Sequence, residues 1–350
     1  MIKLNCNPDS ILGHIVAQHT RYREWAHFYK DTASQQSIVI DPAGIPCYWY
    51  GNDQQINADT SPVIGIDMLT EGVPEAIANF KNYDKTKKYL FFANGTWNKD
   101  TYNFGFEYEV CQYSYFLYDY TTMMASPWHM NYYVDKNYKY NNNKENLFCS
   151  LIGVQRPARD YLVDYFTQNI TNKNYILNYY GKEYGVSARP LDLNYDFNNY
   201  NSYIPIDSTD LYGISNSMPA DVYNSSRFNL VVESCIDLVD EFHLTEKIVK
   251  PIAMGMPFVV VSTPGFLANL RQIGFKTFDS LWSEEYDTII DFKSRVTTIT
   301  KLVNELADFD WAGNMDKLQA ITNYNKINLM YNSKTMIDEL LKIESILSEI

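Results

Sequence analysis

The residues best suited to hold an anion form the tripeptide Thr245-Glu246-Lys247. Threonine is a good N-cap, and the free N–H groups of a helix N-terminus form an anion site that the helix dipole reinforces. Lys247 adds a cation in the first turn, where the dipole normally disfavours one, which suggests an anionic ligand. Glu246 can accept hydrogen bonds from hydroxyl groups, as acidic residues do for ribose. The alternative is a solvated helix start with an exposed Glu–Lys pair.

Two arginines, Arg156 and Arg159, flank a predicted strand-to-helix turn earlier in the same half of the chain. Guanidinium groups make bidentate contacts to phosphate and keep their charge. Convergence of these arginines with Lys247 would place cations around a diphosphate. The alternative is surface salt bridging, for example of Arg159 with Asp160 or Asp164.

A βαβ unit over residues 228–265 is expected to position the tripeptide. An apolar run at 228–232 is closed by Glu233 and Ser234, an acidic loop follows, a helix leads to Gly255, and a second apolar run covers 258–261. Ligands of such units bind beyond the carboxyl ends of the strands and at the helix N-terminus. Glu233 and Ser234 therefore join the tripeptide as candidate site residues.

Short apolar runs separated by helical or polar segments predict α/β structure in both halves of the chain. In the first half we predict a helix over 11–29, a loop over 42–51 and strands over 63–66, 88–93 and 113–118. In the second half we predict strands over 147–154 and 175–179 and helices over 158–168, 288–306, 314–332 and 335–349. A polar, Asn- and Lys-rich segment at 134–146 reads as a linker. The predicted domains are therefore 1–145 and 146–333, with a last helix at 334–350 that crosses back to the first domain.

The composition limits the classes of partner. The 350 residues carry a formal net charge of −13, which argues against a surface that grips nucleic acid or anionic lipid. The five cysteines are scattered and form no CxxC pair, which favours free thiols in a reducing compartment. No apolar run approaches the roughly 18 residues of a membrane span. We expect a cytoplasmic protein without a membrane span.

The order and spacing of Phe228, Glu233, Thr245-Glu246-Lys247, Gly255 and Pro257 resemble the nucleotide-sugar-binding motif of the α1,3-fucosyltransferase-like and exostosin-like glycosyltransferases. That pattern has an aromatic residue, a run ending in Glu-Asn-Ser or similar, an acidic spacer, an aromatic two before Thr-Glu-Lys, a helix, and Gly-x-Pro before an apolar strand. The match covers residues 228–261, and 147–161 resembles the family's arginine-bearing element more loosely. Ser234 replaces the family's Asn, and His243 replaces its typical Tyr.

The resemblance implies an α/β fold of the GT-B type, with two Rossmann-like domains facing across a cleft and the donor on the C-terminal one. It implies an inverting transfer without an essential metal, from a nucleotide-diphosphate sugar (GDP- or UDP-linked) to a hydroxyl of a glycan or related acceptor. It also implies that Glu246 contacts ribose or sugar hydroxyls, and that Lys247 and one of the two arginines neutralise the diphosphate. The expected donor-binding residues are Arg156, Arg159, Glu233, Ser234, His243, Thr245, Glu246 and Lys247.

An inverting enzyme needs a base that deprotonates the acceptor hydroxyl, and a carboxylate or histidine suits that role. In the GT-B architecture this base belongs to the N-terminal domain. Asp67 and Glu71 lead the candidates because they follow a predicted strand. The other candidates are Glu107, Glu109, Asp119 and His129. For each of them the alternative is a solvated surface group.

Three rival interpretations stay open. The first is a DNA-base-modifying glycosyltransferase of a phage. The negative net charge of the chain argues against this interpretation. The second is a non-catalytic nucleotide- or carbohydrate-binding module that kept the fold and lost the base. The third is an interaction protein that binds a partner through its 30 tyrosines and has no nucleotide affinity.

Overall fold

The computed structural model describes residues 2–8, 10, 12–13, 15–16, 38–68, 80–94, 103–114, 117, 140–141, 144–153, 156–179, 220–239, 241–331 and 333–350. The chain divides into two compact units. The first comprises Met1–Tyr118, Asp240–His243 and Asn332–Ile350, and the second comprises Asp119–Val239 and Leu244–Tyr331. The predicted boundary at residue 145 falls inside the second unit, and the C-terminal helix is grouped with the first.

The first unit is built on a parallel sheet in the order β2-β1-β3-β4-β5-β6. Its strands are β1 (Ile2–Asn5), β2 (Ile38–Ile40), β3 (Ile45–Trp49), β4 (Val63–Met68), β5 (Lys88–Ala93) and β6 (Glu107–Gln112). A short helix, α1 (Asp53–Ala58), connects β3 to β4. Because β2 and β3 lie on opposite sides of β1, the strand order reverses between β1 and β3. Parallel α/β sheets bind ligands beyond the carboxyl ends of the strands at such a switch point.

Strands β4 and β5 are apolar because both faces of the sheet are covered there, and five of the six residues in each strand are buried. Buried aromatic and aliphatic side chains pack around them, among them Ile64, Ile66, Phe80, Tyr89 and Phe91. The C-terminal helix, Ser333–Ser348, packs against β1 and β6, and the Glu339 carboxylate accepts hydrogen bonds from the N–H and hydroxyl of Ser114 at 3.0 and 2.7 Å.

Two predictions for the first half are wrong. The segment predicted as a loop contains β3, because parallel pairing with β1 and β4 overrides the local signals of Gly44 and Pro46. Gly44 is required there by close approach, since a Cβ atom would lie 2.6 Å from the Lys3 backbone. The strand predicted at 113–118 lies instead at Glu107–Gln112, because its partner β5 ends at Ala93, opposite Gln112. Of the helix predicted over 11–29, residues 12–13 and 15–16 are described and are helical.

The second unit contains a parallel sheet in the order β10-β9-β7-β8. Its strands are β7 (Asn146–Ile152), β8 (Ile176–Tyr179), β9 (Ser226–Val232) and β10 (Phe258–Val261). Its helices are α2 (Pro157–Asn169), α3 (Ala220–Asn224), α4 (Glu246–Met254), α5 (Phe266–Gln272), α6 (Phe292–Ala307) and α7 (Met315–Tyr331), with a 3-10 turn at Glu285–Thr288. The order reverses between β7 and β9, which gives this sheet a switch point of its own.

The predicted βαβ unit is confirmed as β9, α4 and β10. The two strands pair in parallel from Asn229–Phe258 to Val232–Val261, and all four residues of β10 are buried. Helix α4 continues through Pro251 and ends at Gly255, whose φ of 68° is the left-handed conformation that favours glycine at a helix end. With parallel sheets in both units, the predicted α/β class is confirmed. No helix in the described part of the chain is long and apolar enough to cross a membrane.

Candidate active site

The predicted donor-side residues of the second unit gather at the switch point of its sheet. Arg156 is the N-cap residue of α2, which follows β7, while Glu233 and Ser234 directly follow β9. Since β7 and β9 are neighbours whose connections run to opposite sides, the carboxyl ends of these strands leave room for a ligand. The N-terminus of α4 lies at the same edge because α4 links the end of β9 to β10.

Contacts among side chains join the end of β9 to the start of α4. Thr245 is the N-cap, as predicted, and its Oγ1 accepts the Lys247 N–H at 3.3 Å. The same hydroxyl donates to Glu233 Oε2 at 2.5 Å. Lys247 Nζ lies 3.2 Å from Ser234 Oγ, 3.3 Å from Thr245 Oγ1 and 2.9 Å from Glu246 Oε1. Five residues predicted to bind the donor therefore form one connected cluster around the Lys247 ammonium.

Both arginines reach the backbone that follows β9. Arg159 is 2% exposed, and its Nη2 donates to the Glu233 carbonyl at 3.0 Å. Arg156 is only partly buried, and its Nη1 donates to the Ser234 carbonyl at 3.3 Å. The two side chains thus differ: Arg159 is enclosed and holds the loop, while Arg156 keeps exposed surface at the rim of the cluster.

Two carboxylates in this cluster present oxygen atoms that are buried and have no hydrogen-bond partner, Glu233 Oε1 and Glu246 Oε2. Burial is the main cause that raises the pKa of Glu233 to about 7, and the charge of Glu246 adds to it, while Lys247 and the Thr245 hydrogen bond oppose it. Buried polar atoms are normally satisfied, so these two oxygens are acceptors for which the described residues supply no donor.

Lys250 is a further charged residue close to Glu246 and Lys247 that we did not predict from the sequence. It lies one helical turn after Glu246, and burial lowers its pKa to about 8, an effect that the Glu246 charge opposes. The signal that could have identified it is its i, i+4 spacing from Glu246, which places both side chains on one face of α4.

His243 is grouped with the first unit rather than with the rest of the predicted donor-side residues. Its Nε2 lies 2.8 Å from Glu241 Oε2, and both side chains are almost fully buried. The Nδ1 atom of His243 is buried without a hydrogen-bond partner. A contact of His243 with the nucleotide stays a prediction.

Asp67, the leading candidate for the base, belongs to the first unit. It is the fifth residue of β4 rather than a residue after the strand, and it lies near the carboxyl end of the sheet. Its Oδ2 accepts the Leu12 N–H at 3.2 Å, and its Oδ1 is buried without a partner. Burial raises the pKa of Asp67 to about 6, against hydrogen bonds from Leu12 and Ser10 that lower it. A carboxylate with this pKa is suited to accept a proton near neutral pH.

The other candidates for the base are less well placed or lie outside the described residues. Glu107 is at the amino end of β6, the edge opposite to Asp67, and pairs with Lys88 at 2.9 Å. Glu109 lies in the middle of the same strand. The candidates outside the described residues are Glu71, Asp119 and His129.

A metal-binding set is not found in the described part of the chain, where no three His, Cys, Asp or Glu side chains are grouped as ligands. The Asp308-Phe309-Asp310 sequence, which resembles a metal-binding Asp-x-Asp, follows the end of α6 as a turn, and Asp310 Oδ1 accepts the Gly313 N–H at 2.8 Å. The metal-independent character of the reaction stays a prediction.

Comparisons with known proteins give a structural likeness but no match in sequence. No protein-family model matches the chain, and no curated protein matches it. Among solved structures, the chain is similar to a crystal structure of an α1,3-fucosyltransferase, with 13% sequence identity and a TM-score of 0.37. The similarity covers 96% of this chain and 89% of that chain.

Proposed function

We propose that this protein is a glycosyltransferase of the GT-B type, similar to α1,3-fucosyltransferases and exostosins. It would transfer a sugar from a nucleotide-diphosphate donor to a hydroxyl of a glycan or related acceptor. The observation that carries the proposal is the cluster at the switch point of the second sheet. There Lys247 and Arg156 supply positive charge beside the N-terminus of α4, and Glu233 and Glu246 offer unpartnered carboxylate oxygens.

The diphosphate of the donor fits the cationic part of this cluster. When the bond to the sugar breaks, negative charge develops on the leaving diphosphate, and fixed cations and helix-end N–H groups stabilise it. Lys247 and the partly exposed Arg156 are assigned this contact. Arg159 is assigned a positioning role, because its guanidinium is enclosed and bonded to the Glu233 carbonyl.

The hydroxyl groups of the donor fit the carboxylates. Glu246 Oε1 is occupied by Lys247 Nζ at 2.9 Å, which leaves Oε2 to accept a hydrogen bond from a ribose or sugar hydroxyl. The Thr245 hydroxyl holds Glu233 Oε2 in the same way, which leaves Glu233 Oε1 to accept a second hydrogen bond. Each carboxylate is thus fixed by one partner on one oxygen, and we assign its second oxygen to a hydroxyl of the donor.

The proposed transfer is a single displacement that inverts the anomeric carbon. Asp67 takes the proton of the acceptor hydroxyl, the freed oxygen forms the new bond to the anomeric carbon, and the electron pair of the old bond leaves with the diphosphate. This assignment is supported by the unpartnered Oδ1 and the raised pKa of Asp67. Glu71 is the second candidate for this role.

Calorimetric titration with UDP, GDP, CMP, dTDP and ADP, each with and without its sugar, tests the donor site. We expect one nucleotide class to bind and Lys247→Ala to weaken its binding by at least 30-fold, because about 2 kcal/mol is a typical worth of a charge-assisted contact to phosphate. The matched control is Lys301→Ala, since the Lys301 side chain is 74% exposed on α6. Equal affinity of folded Lys247→Ala and wild type would refute the donor site.

Hydrolysis of the bound donor then separates the enzyme from its rivals. A glycosyltransferase releases free nucleotide diphosphate slowly in the absence of acceptor and faster when the correct acceptor is present. Binding without release under either condition would instead identify a non-catalytic module. A gel shift with DNA that weakens as salt rises would favour a DNA-modifying enzyme.

A further inference from the structure

We propose that the carboxyl edge of the first sheet holds a sugar-binding subsite, in which the Trp49 indole stacks on a pyranose ring and Asp67 accepts a hydrogen bond from a hydroxyl of that ring. The interpretation of this sugar as the acceptor rests on the proposed function. The existence of the subsite rests on three observations from the first unit alone: its place in the sheet, the exposure of the Trp49 indole, and the unpartnered oxygen of Asp67.

The place is the carboxyl edge of the sheet at β3 and β4, next to the switch point between β1 and β3. Trp49 is the last residue of β3, and Asp67 is its register partner on β4. Neighbouring strands lie about 4.8 Å apart, and partners in register project from the same face of a sheet. That face is confirmed two residues earlier, where a Cβ atom on Gly65 would lie 2.5 Å from Cys47 Sγ. Trp49 and Asp67 are therefore adjacent at the edge where α/β sheets bind ligands.

The indole is held in place and yet exposed. Its ring stacks on Tyr50 with centroids 5.0 Å apart, and a Cβ atom on Gly51 would lie 3.2 Å from its Cδ1 and Nε1 atoms. A turn closed by the Asn52 N–H on the Trp49 carbonyl at 2.9 Å fixes the backbone. Trp49 nevertheless keeps 40% of its surface exposed, whereas Trp282 and Trp311 are 8% and 4% exposed.

A single exposed apolar residue is common on protein surfaces and would not define a site. The second observation that points to a ligand is Asp67, which is 4% exposed and whose Oδ1 has no hydrogen-bond partner. A buried carboxylate oxygen without a donor is costly, and a ligand hydroxyl would satisfy it. Trp49 and Asp67 thus supply an aromatic ring and a hydrogen-bond acceptor from paired positions on neighbouring strands.

A sugar ring is the ligand that uses both features. One face of a pyranose is lined with C–H groups and stacks on an indole, while hydroxyls on its rim donate hydrogen bonds. A nucleobase would stack equally well, but the chain's net charge of −13 disfavours a nucleic acid beside the Asp67 carboxylate. We therefore assign the subsite to a carbohydrate with an unsubstituted hydroxyl next to its apolar face.

The test measures retention of the full-length protein on immobilised glycans, with β-linked galactosides, glucosides and N-acetylglucosaminides as probes, with and without GDP or UDP. We expect wild type to retain a subset, Trp49→Phe to retain it more weakly, and Trp49→Ala to lose it by about tenfold or more. The matched control is Tyr324→Ala, which removes another aromatic ring, 41% exposed, from the second unit. Gly51→Ala probes the position of the indole, because its methyl group would displace the ring without removing it.

Each outcome decides the inference. The subsite is supported if Trp49→Ala loses glycan retention, Gly51→Ala loses part of it, and Tyr324→Ala keeps all of it. No retention of any glycan by wild type under either nucleotide condition, or equal retention by Trp49→Ala, overturns it. Nucleotide titration is run on the same variants. If nucleotides bind but glycan retention is the same in wild type and the Trp49 variants, the subsite is refuted and the proposed function is not. If glycans need Trp49 but no nucleotide binds, the proposed function fails and the sugar site stands.

Discussion

The Thr245 hydroxyl donates a hydrogen bond to Glu233 Oε2 at 2.5 Å, which ties the first residue after β9 to the N-cap of α4. This one contact fixes the distance between a strand end and a helix start, the two features on which an anion site in an α/β sheet depends. Lys247 Nζ, at 3.3 Å from the same hydroxyl, is held by the same group.

Replacing Thr245 by valine should therefore destabilise the protein by about 1–3 kcal/mol, because it removes an N-cap and leaves a buried carboxylate oxygen without its donor. Thr245→Ser keeps the hydroxyl and loses only one buried methyl group, so it should be destabilised by no more than about 1 kcal/mol and stay more stable than the valine variant. Denaturant unfolding measures both variants. Equal stability of the valine and serine variants would contradict the role assigned to the hydroxyl.

The pKa of Glu233, raised to about 7, predicts how stability changes with pH. The folded protein holds this proton more tightly than the unfolded chain, so the resulting stability is present below the unfolded pKa of about 4.5 and is lost as pH rises through about 7. Each pKa unit is worth about 1.4 kcal/mol, which gives about 3 kcal/mol over this range.

Measurement of this effect compares wild type with Glu233→Gln between pH 4 and 8. The stability of wild type relative to the variant should fall by about 3 kcal/mol as pH rises through that window. Glu305→Gln is the control, because the Glu305 side chain is 58% exposed on α6. A pH-independent difference between wild type and Glu233→Gln would show that this carboxyl does not titrate as its burial requires.

The assignment of Asp67 as the base predicts the pH profile of the reaction. Only the carboxylate accepts a proton, so kcat/KM should decline as pH falls through about 6, the value to which burial raises the pKa of Asp67. Asp67→Asn should lower kcat by roughly 10²–10⁴ and remove the acidic limb of the profile, with nucleotide affinity unchanged. If Asp67→Asn keeps the wild-type kcat, Asp67 is not the base and Glu71 becomes the candidate. Glu71→Gln is therefore tested in parallel.

Much of the side-chain cluster at the second sheet, the proposed donor site, could be predicted because its parts are close in the sequence. The apolar runs of β9 and β10, the N-cap at Thr245 and the turn at Gly255 are local signals that agree with the fold. The arginines are distant in sequence, but they begin the helix that follows β7. They reach the site because β7 pairs with β9, which the local pattern does not contain.

The carboxyl edge of the first sheet, the proposed acceptor side, was harder to predict because its signals are non-local. Pro46 and Gly51 mark the segment around Trp49 as a loop, and only pairing with β1 and β4 makes it a strand. Both switch points depend on strand order, which hydrophobic periodicity does not encode. The burial of Arg159 is also a tertiary property, so sequence alone could not separate its role from that of Arg156.

The different burial of Arg159 and Arg156 leads to a final prediction: replacing Arg159 should mainly lower stability, and replacing Arg156 should mainly lower nucleotide affinity. Arg159→Met should destabilise the protein by about 2–4 kcal/mol, since it removes a buried guanidinium that donates to the Glu233 carbonyl at 3.0 Å. Arg156→Met should change stability by less than about 1 kcal/mol, because its side chain is only partly buried. It should nevertheless lower nucleotide-diphosphate affinity about 10- to 100-fold.

Denaturant unfolding and nucleotide titration on both variants measure this contrast, and titration of the corresponding nucleoside monophosphate serves as the control ligand. Loss of the diphosphate contact should weaken the diphosphate more than the monophosphate in Arg156→Met. If the two variants lose stability and affinity to the same extent, the arginines act as one structural unit. The diphosphate contact would then belong to Lys247 and the N–H groups at the start of α4.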